Sequence, residues 1–271
     1  MIAAIIQARM GASRFPNKTV VPIGEHTLLG WTILAVKASR LVDQVIVATT
    51  TAACDERIVE HAREYGVAVF RGDERDVLDR FVRCASEFAA DTIVRISGDS
   101  PLWSPWVSDF VIAQQQRTGA DYAANCIHDV YPLGVQSEVF TRAALEASVA
   151  LASLPADHEH VTPALRRHHQ RFSVLSVTAP QELHRPQYRL CVDTRGDLAV
   201  VAELFERLPH PTDLPPDVLA VCRELDRDPQ LAKRNAAVKQ AYRTGDDIRA
   251  TVAQVAMPLD WRDHPVLPPQ D

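Results

Sequence analysis

The chain begins MIAAIIQARMGASRFPNKTVVPIG (residues 1–24), and the reading of its middle sets the expectation for everything that follows. Ile2–Ile6 is a short apolar run, the pattern of a buried strand. Immediately after it, Gln7–Lys18 gathers Arg9, Arg14 and Lys18 around Gly11, Ser13 and Pro16. Gly11 permits a tight turn, Ser13 can donate a hydroxyl, and Pro16 stiffens the approach to Lys18. Backbone amides in a glycine-containing loop, joined by cations of fork and point-charge geometry, bind anions. A solvated basic surface loop is the competing reading of this stretch taken alone. The loop is not a Walker A motif, because no GKS or GKT is present, and no GxGxxG fingerprint occurs.

The rest of the composition makes that cluster unusual. The 271 residues carry 29 Lys and Arg against 35 Asp and Glu, a net charge of −6. That balance argues against general nucleic-acid binding, which wants a basic face, so a cationic site must be local. Hydrophobic residues make up 46% of the chain, enough for a sizeable core. Cys54, Cys84, Cys126, Cys191 and Cys222 are odd in number and lack CxxC spacing, which fits reduced thiols in a cytoplasmic protein. No apolar run approaches the ~20 residues of a membrane helix, and the first one ends too soon for a signal peptide. The expectation is a cytoplasmic protein that binds neither membrane nor nucleic acid.

Working outward from the first strand, further strands are expected at Val45–Ala48, Val67–Phe70, Thr92–Ile96 and Asp121–Ala124. Helical periodicity separates them over Cys54–Tyr65, Glu74–Phe88 and Ser104–Arg117. Such alternation calls for an α/β fold with a mostly parallel sheet covered on both faces. Ligands then bind beyond the carboxyl ends of the strands, where the first loop emerges. Tyr131–Phe140, Arg171–Val177 and Tyr188–Val192 break the alternation and read as an antiparallel extension. HPTDLPP (210–216) marks a change of character, so residues 1–208 read as the principal domain. Residues 209–271 read as a helical appendage, with helices over Asp217–Asp226 and Pro229–Arg243 and a loose tail.

Two more stretches carry carboxylates at strand ends. VRISGDSPL (94–102) runs into Gly98 and Asp99, and RLCVDTRGDL (189–198) ends an apolar run at Asp193, with Asp197 opening a helix. Each aspartate alone suits a helix cap or an Asx turn. Facing a crevice, Asp99 and Asp193 suit a magnesium ion bridging phosphate oxygens. In DHEH (157–160), His158 and His160 are two apart and share no helical face, so a zinc site is not expected. Trp31, Trp103 and Trp106 read as packing or interface residues.

With these stretches in hand, an ordered set stands out: IIQARMGASRFPNKTVVPIG, VFRGDERDVLDRF, VRISGDSPL, YPLGVQSEVF, EHVTP and VDTRGDL. Over roughly residues 1–205 the chain resembles the cytidylyltransferase family of spore-coat polysaccharide synthesis. That family is related to the enzymes that activate acylneuraminate and 3-deoxy-manno-octulosonate as CMP conjugates. The resemblance implies a nucleotide-diphospho-sugar transferase-like (GT-A, Rossmann-like) α/β/α sandwich that joins CMP from CTP to a small acceptor and releases pyrophosphate. It implies that Arg9, Arg14 and Lys18 contact the triphosphate, with Ala8, Gly11, Ser13 and Gly98 lining the nucleotide. It places Arg71, Gly72 and Asp73 near the cytosine ring, and magnesium on Asp99 and Asp193. Leu133, Gln136, Glu138 and His160 would border the acceptor.

Two departures matter. Asn17 stands where the family commonly has glycine, a tolerable swap because asparagine also visits left-handed backbone. Leu133 and Gln136 replace an arginine and an aspartate common in the family, so the acceptor's identity does not carry over. The missing cation at Leu133 shifts the burden to Arg166, Arg167, Arg185 or Arg189. Glu138, His160 and His128 are the possible bases, and none is compelling, which favours an acceptor already anionic, such as a sugar acid, phosphonate or phosphorylated metabolite. Relatives are commonly homodimers, and Val130–Phe140 with Trp103 and Trp106 is a candidate interface. The alternatives are a glycosyltransferase of similar architecture, whose usual Asp-x-Asp motif GDSP lacks, and a non-catalytic nucleotide-binding relative.

Overall fold

The computed structural model describes residues 1–12, 14–239 and 251–263. Its strands are β1 (Ile2–Gln7), a short β2–β3 hairpin (Pro22–Ile23, His26–Thr27), β4 (Gln44–Thr50), β5 (Ala68–Gly72), β6 (Thr92–Ser97), β7 (Tyr122–Ala124), β8 (Glu138–Thr141), β9 (Val174–Thr178) and β10 (Ala253–Ala256). All but the hairpin form one sheet in the order β10-β9-β7-β8-β6-β1-β4-β5. The five strands expected from apolar alternation are all present, displaced by a residue or two at their ends.

Strand direction is where the structure departs from expectation. β1, β4, β5 and β6 are mutually parallel, and β8 enters between β6 and β7 antiparallel to both. β9 was expected to be antiparallel as well, yet it pairs parallel to β7, and β10 pairs parallel to β9. Tyr188–Val192 forms no strand and leaves a single bridge between Leu133 and Arg189. A period-two pattern is common to both pairing modes, so alternation alone carries no direction.

The helices are α1 (Leu28–Lys37), α2 (Glu56–Glu64), α3 (Val77–Glu87), α4 (Pro105–Thr118), α5 (Arg142–Val149), α6 (Pro155–His160), α7 (Pro163–Arg167), α8 (Arg195–Arg207), α9 (Val218–Arg227) and α10 (Pro229–Ala236). Side chains alternate across the sheet, and the two faces hold separate apolar clusters. Ala4, Ile6, Val94 and Ile96 meet α1, α2, α4 and α8. Ala3, Ile5, Ile93 and Phe140 meet α3, α5 and α7. This parity decides which polar residues can reach which side of the site.

Beyond Leu208, α9 and α10 form where helices were expected, as far as the described residues reach. Val218, Leu219, Cys222, Leu225 and Leu231 join the cluster that contains Ala4 and Ile6, and the chain returns to add β10. The proposed interface of Trp103, Trp106 and Val130–Phe140 needs correction. Trp103 and Trp106 are buried within this chain, as are Tyr131, Val135, Val139 and Phe140. Each tryptophan spends its indole N–H internally, Trp103 on the Gln136 carbonyl at 3.2 Å and Trp106 on Asp217 at 3.1 Å. Among the described residues no helix is long and apolar enough to cross a membrane.

Candidate functional site

A cavity of about 1020 Å³ opens at the carboxyl ends of β1 and β6. Among the described residues, eight Lys or Arg line it against six Asp or Glu, an excess of positive charge in a chain of net charge −6. The first loop supplies Ala8, Arg9, Ala12, Arg14 and Lys18 to its wall. The loop is held in shape from below. Asp55, 1% exposed, accepts from the Met10 amide at 2.8 Å and from Thr49 and Thr50. Burial opposes ionisation of Asp55, but these hydrogen bonds outweigh it and keep its pKa below the usual value. The Asn17 amide closes the loop onto the Met10 carbonyl at 3.2 Å, with Asn17 at φ 61°, the left-handed backbone expected for it. Ser13 lies outside the described residues.

Lys18 is the centre of the site. Its ammonium donates to Asp99 Oδ2 at 2.7 Å, Asp193 Oδ1 at 2.9 Å and the Val192 carbonyl at 2.8 Å. Burial works against its charge, but the two carboxylates prevail and raise its pKa. Asp193 is also met by Arg14 at 3.1 Å and by Arg189 at 2.5 Å. Burial pushes Asp193 up, and Lys18, Arg14 and Arg189 together bring it below the ordinary carboxylate value. Gly98 lets these pieces approach, because a Cβ there would stand 2.9 Å from the Gln7 carbonyl oxygen and 3.1 Å from Ala8 Cβ.

Asp99 and Asp193 bring oxygens from two chain segments to one cationic point, a donor set that suits a hard divalent ion. Magnesium commonly takes one or two carboxylates and completes its shell with phosphate oxygens and water. Among the described residues no group of three or more His, Cys, Asp or Glu is placed to hold a metal alone, so the fit depends on a phosphorylated ligand. Asp197 stands apart as the cap of α8, accepting from Thr194 and from the Asp193 amide at 3.0 Å. It also takes Arg189 Nε at 2.8 Å, and Asn235 of α10 donates to both Asp197 and the Arg189 carbonyl, at 3.1 and 3.0 Å. α10 thus braces the arginine that pairs with Asp193. Sequence reading missed Asn235, which no motif marks.

Three residues expected near the base are placed differently. Arg71 does not reach the cavity. It pairs with Glu56 of α2 at 2.5 Å and donates to the Thr50 and Ala52 carbonyls at 3.0 Å. Parity is the reason: Phe70 faces the α3 side, so its neighbour Arg71 points to the α2 side. Gly72 and Asp73 are also absent from the wall; Asp73 caps the turn into α3 by accepting from the Arg75 and Asp76 amides. Gly11 is likewise off the wall, close to Glu74. Arg80 of α3 lines the cavity instead. It had a signal in the sequence, a cation on the buried stripe of α3 with Val77, Phe81 and Cys84.

At the other end of the cavity Glu138 opens β8, opposite Arg95 in the antiparallel register. The reversed strand brings Glu138 to the carboxyl end of β6, on the same face as Gln7 and Tyr122. Arg95 pairs with Glu138 Oε2, while Arg166 at 2.9 Å, Tyr122 at 2.7 Å and Thr162 at 2.5 Å all donate to Oε1. Burial alone would raise the pKa of Glu138, but the two arginines and the hydroxyls hold it down at about 2. It is therefore an ionised anchor and no proton acceptor. His160 lines the cavity, and burial together with Arg95 pushes its pKa below the usual histidine value. His128 bonds Ser176 at 2.7 Å away from the cavity. Leu133 and Gln136 line it; Leu133 exchanges backbone hydrogen bonds with Tyr188 and Leu190, and Gln136 Oε1 accepts from the Gly134 amide. Of the substitute cations, Arg166 and Arg189 face the cavity, whereas Arg167 pairs with Asp157 and Arg185 with Asp226.

Comparison with known proteins bears on what this geometry serves. Residues 3–235 match a family model described as cytidylyltransferase. An uncharacterised protein of Methanocaldococcus jannaschii is 37% identical over 89% of this chain and 98% of its own length. The spore coat polysaccharide biosynthesis protein SpsF of Bacillus subtilis is 32% identical over 87% of this chain and 98% of its own. Among solved structures, a cytidylyltransferase from Leptospira borgpetersenii superposes with a TM-score of 0.78 at 27% identity, covering 89% of this chain and 98% of that one.

Proposed function

Because this chain belongs to the cytidylyltransferase family and is a CTP-dependent nucleotidyltransferase, we propose that it transfers CMP onto a small acceptor that is itself an anion. The observation that carries the reading is the junction of Lys18 with Asp99 and Asp193 beside Arg9 and Arg14. In the step, an acceptor oxygen forms a bond to the α-phosphorus of CTP. The bond from that phosphorus to the oxygen bridging the β-phosphate breaks, and its electron pair leaves with pyrophosphate. Lys18, Arg9 and Arg14 stabilise the charge that grows on the leaving group. Asp99 and Asp193 would hold magnesium, which when bound neutralises charge on phosphate oxygens.

The acceptor's charge is inferred from the opposite end. Arg95 and Arg166 both line the cavity and both pair with Glu138, which sets two guanidinium groups where an anionic acceptor could be received. Glu138 cannot take a proton near neutrality. An oxygen of a carboxylate, phosphate or phosphonate needs no proton removed, only positioning. Five free thiols, four of them buried, support a cytoplasmic setting. Pyrophosphate release from CTP and magnesium, measured across sugar acids, phosphonates, phosphorylated metabolites and neutral sugars, tests the proposal. Turnover with neutral sugars alone would refute the anionic acceptor and leave the nucleotide half standing.

A further inference from the structure

The Lys18 ammonium bonds the same carboxylate oxygens that a shared divalent ion needs. Asp99 Oδ2 accepts from it at 2.7 Å and Asp193 Oδ1 at 2.9 Å. The other oxygen of Asp193, Oδ2, meets Arg14 at 3.1 Å and Arg189 at 2.5 Å. An ion bonded at about 2.1 Å to the two oxygens that hold Lys18 lies within about 4 Å of its nitrogen, whichever side of the pair it takes. Cations that close repel strongly. Lys18, Arg14 and Arg189 already answer the two carboxylates, so an added divalent ion finds no negative charge left to balance it. The three cations are not equally fixed. Arg189 is tied from behind to Asp197 at 2.8 Å, with its side chain 5% exposed. Lys18 is fixed at its backbone, where its amide donates to the Phe15 carbonyl at 3.2 Å and the Thr19 hydroxyl next to it to the Arg9 carbonyl at 3.0 Å. Its four-carbon stem can swing the ammonium while the loop keeps its shape.

We propose that Lys18 is an exchangeable counter-ion, which holds Asp99 and Asp193 in the nucleotide-free protein and yields them to a divalent ion when a triphosphate offers its ammonium new oxygens. The inference rests on reading Asp99 and Asp193 as the ion ligands of a CTP site. Without phosphate, an ammonium driven off the aspartates keeps only the Val192 carbonyl, at 2.8 Å. A free divalent ion is therefore refused. With the ion in place and no exchange, the triphosphate would meet carboxylates still neutralised by Lys18. Ion and nucleotide each relieve what opposes the other, so each strengthens the other's binding, and linkage makes the effect reciprocal. Lys18 thus couples the two ligands as well as acting on the leaving group.

The test reads ion binding without turnover. Manganese, whose free ion is counted by electron paramagnetic resonance, is titrated into the nucleotide-free full chain of the wild type, Lys18→Met and Lys18→Arg. The wild type and Lys18→Arg bind it weakly. Lys18→Met binds it roughly ten- to a hundred-fold more tightly, the usual size of coupling between linked sites, and adding Asp99→Asn to it removes the gain. Should Lys18→Met be unfolded at the assay temperature, Lys18→Gln takes its place, since glutamine has no charge yet still donates to a carboxylate. Unchanged or weaker manganese affinity in the uncharged variant overturns the exchange. Equal tightening in Lys18→Arg overturns it too, because that marks a loosened loop and not a removed charge. Calorimetric titration of CTP into the wild type and Asp99→Asn, with and without magnesium, separates this from the reading beneath it. CTP affinity that rises with magnesium only when Asp99 is present upholds the ion site even if the exchange fails. CTP affinity indifferent to magnesium in the wild type overturns both.

Discussion

Replacing Lys18 with methionine separates the two jobs its ammonium performs. With Lys18 bonded at 2.7 Å to Asp99 and 2.9 Å to Asp193, the two carboxylate oxygens lie at most about 5.6 Å apart. Without the cation their repulsion is ~3 kcal/mol at the effective dielectric of such sites. Arg14 and Arg189 stay on Asp193 and absorb part of it, leaving a loss of about 2 kcal/mol. That lowers the unfolding temperature by roughly 4–8 °C for a chain of this size. Turnover falls further, ~100- to 1,000-fold, because a donor to the departing pyrophosphate is gone. Adding Asp99→Asn to Lys18→Met removes one of the repelling charges, so stability returns to within about 1 kcal/mol of the wild type while turnover stays low. The assays are thermal unfolding without nucleotide and pyrophosphate release with saturating CTP. Recovery of turnover along with stability in the double variant would refute a catalytic role for Lys18.

The Glu138 carboxyl, held at about 2 against a usual 4.5, contributes stability that is fully present above pH 4.5. That contribution, about 3 kcal/mol, is lost as pH falls from 4.5 toward 2. Acid unfolding of Glu138→Gln should lack this slope, and an identical slope would contradict the assignment. With an anionic acceptor, His160→Gln keeps turnover within about tenfold, because general base catalysis worth ~100-fold or more is not in play; a larger loss in kcat would reassign His160 as the base. Asn235→Ala costs ~1–2 kcal/mol and slows turnover roughly tenfold through slack at Asp193. Loss of stability with unchanged turnover would mean that Asn235 only fastens α10.

What the sequence reveals divides along physical lines. That the first loop, Asp99 and Asp193 meet at one cavity was legible because the signal is local: cations or carboxylates directly follow apolar runs. The resemblance sets Arg71 near the base, whereas its side chain pairs with Glu56 of α2, because face is set by parity and a shift of one residue reverses it. Arg95, Glu138 and Arg166 come together only because β8 is inserted in reverse between β6 and β7. No pattern inside Glu138–Thr141 reports that direction. Asn235 was invisible for another reason: an asparagine on a helix has no signature until its partners, Arg189 and Asp197, are known in space.

The contact of Asn235 with Arg189 and Asp197 also fixes an order in time. A chain growing from its N-terminus lays down the first loop and both aspartates before residue 235 exists. The brace behind Asp193 is therefore added late, after most of the sheet has been made. A nascent chain, or one clipped by a protease ahead of α10, can carry every motif residue and still hold its second carboxylate loosely. Maturation of the site is thereby tied to synthesis through α10, and activity would report on an intact α10 as well as on the first loop and the two aspartates.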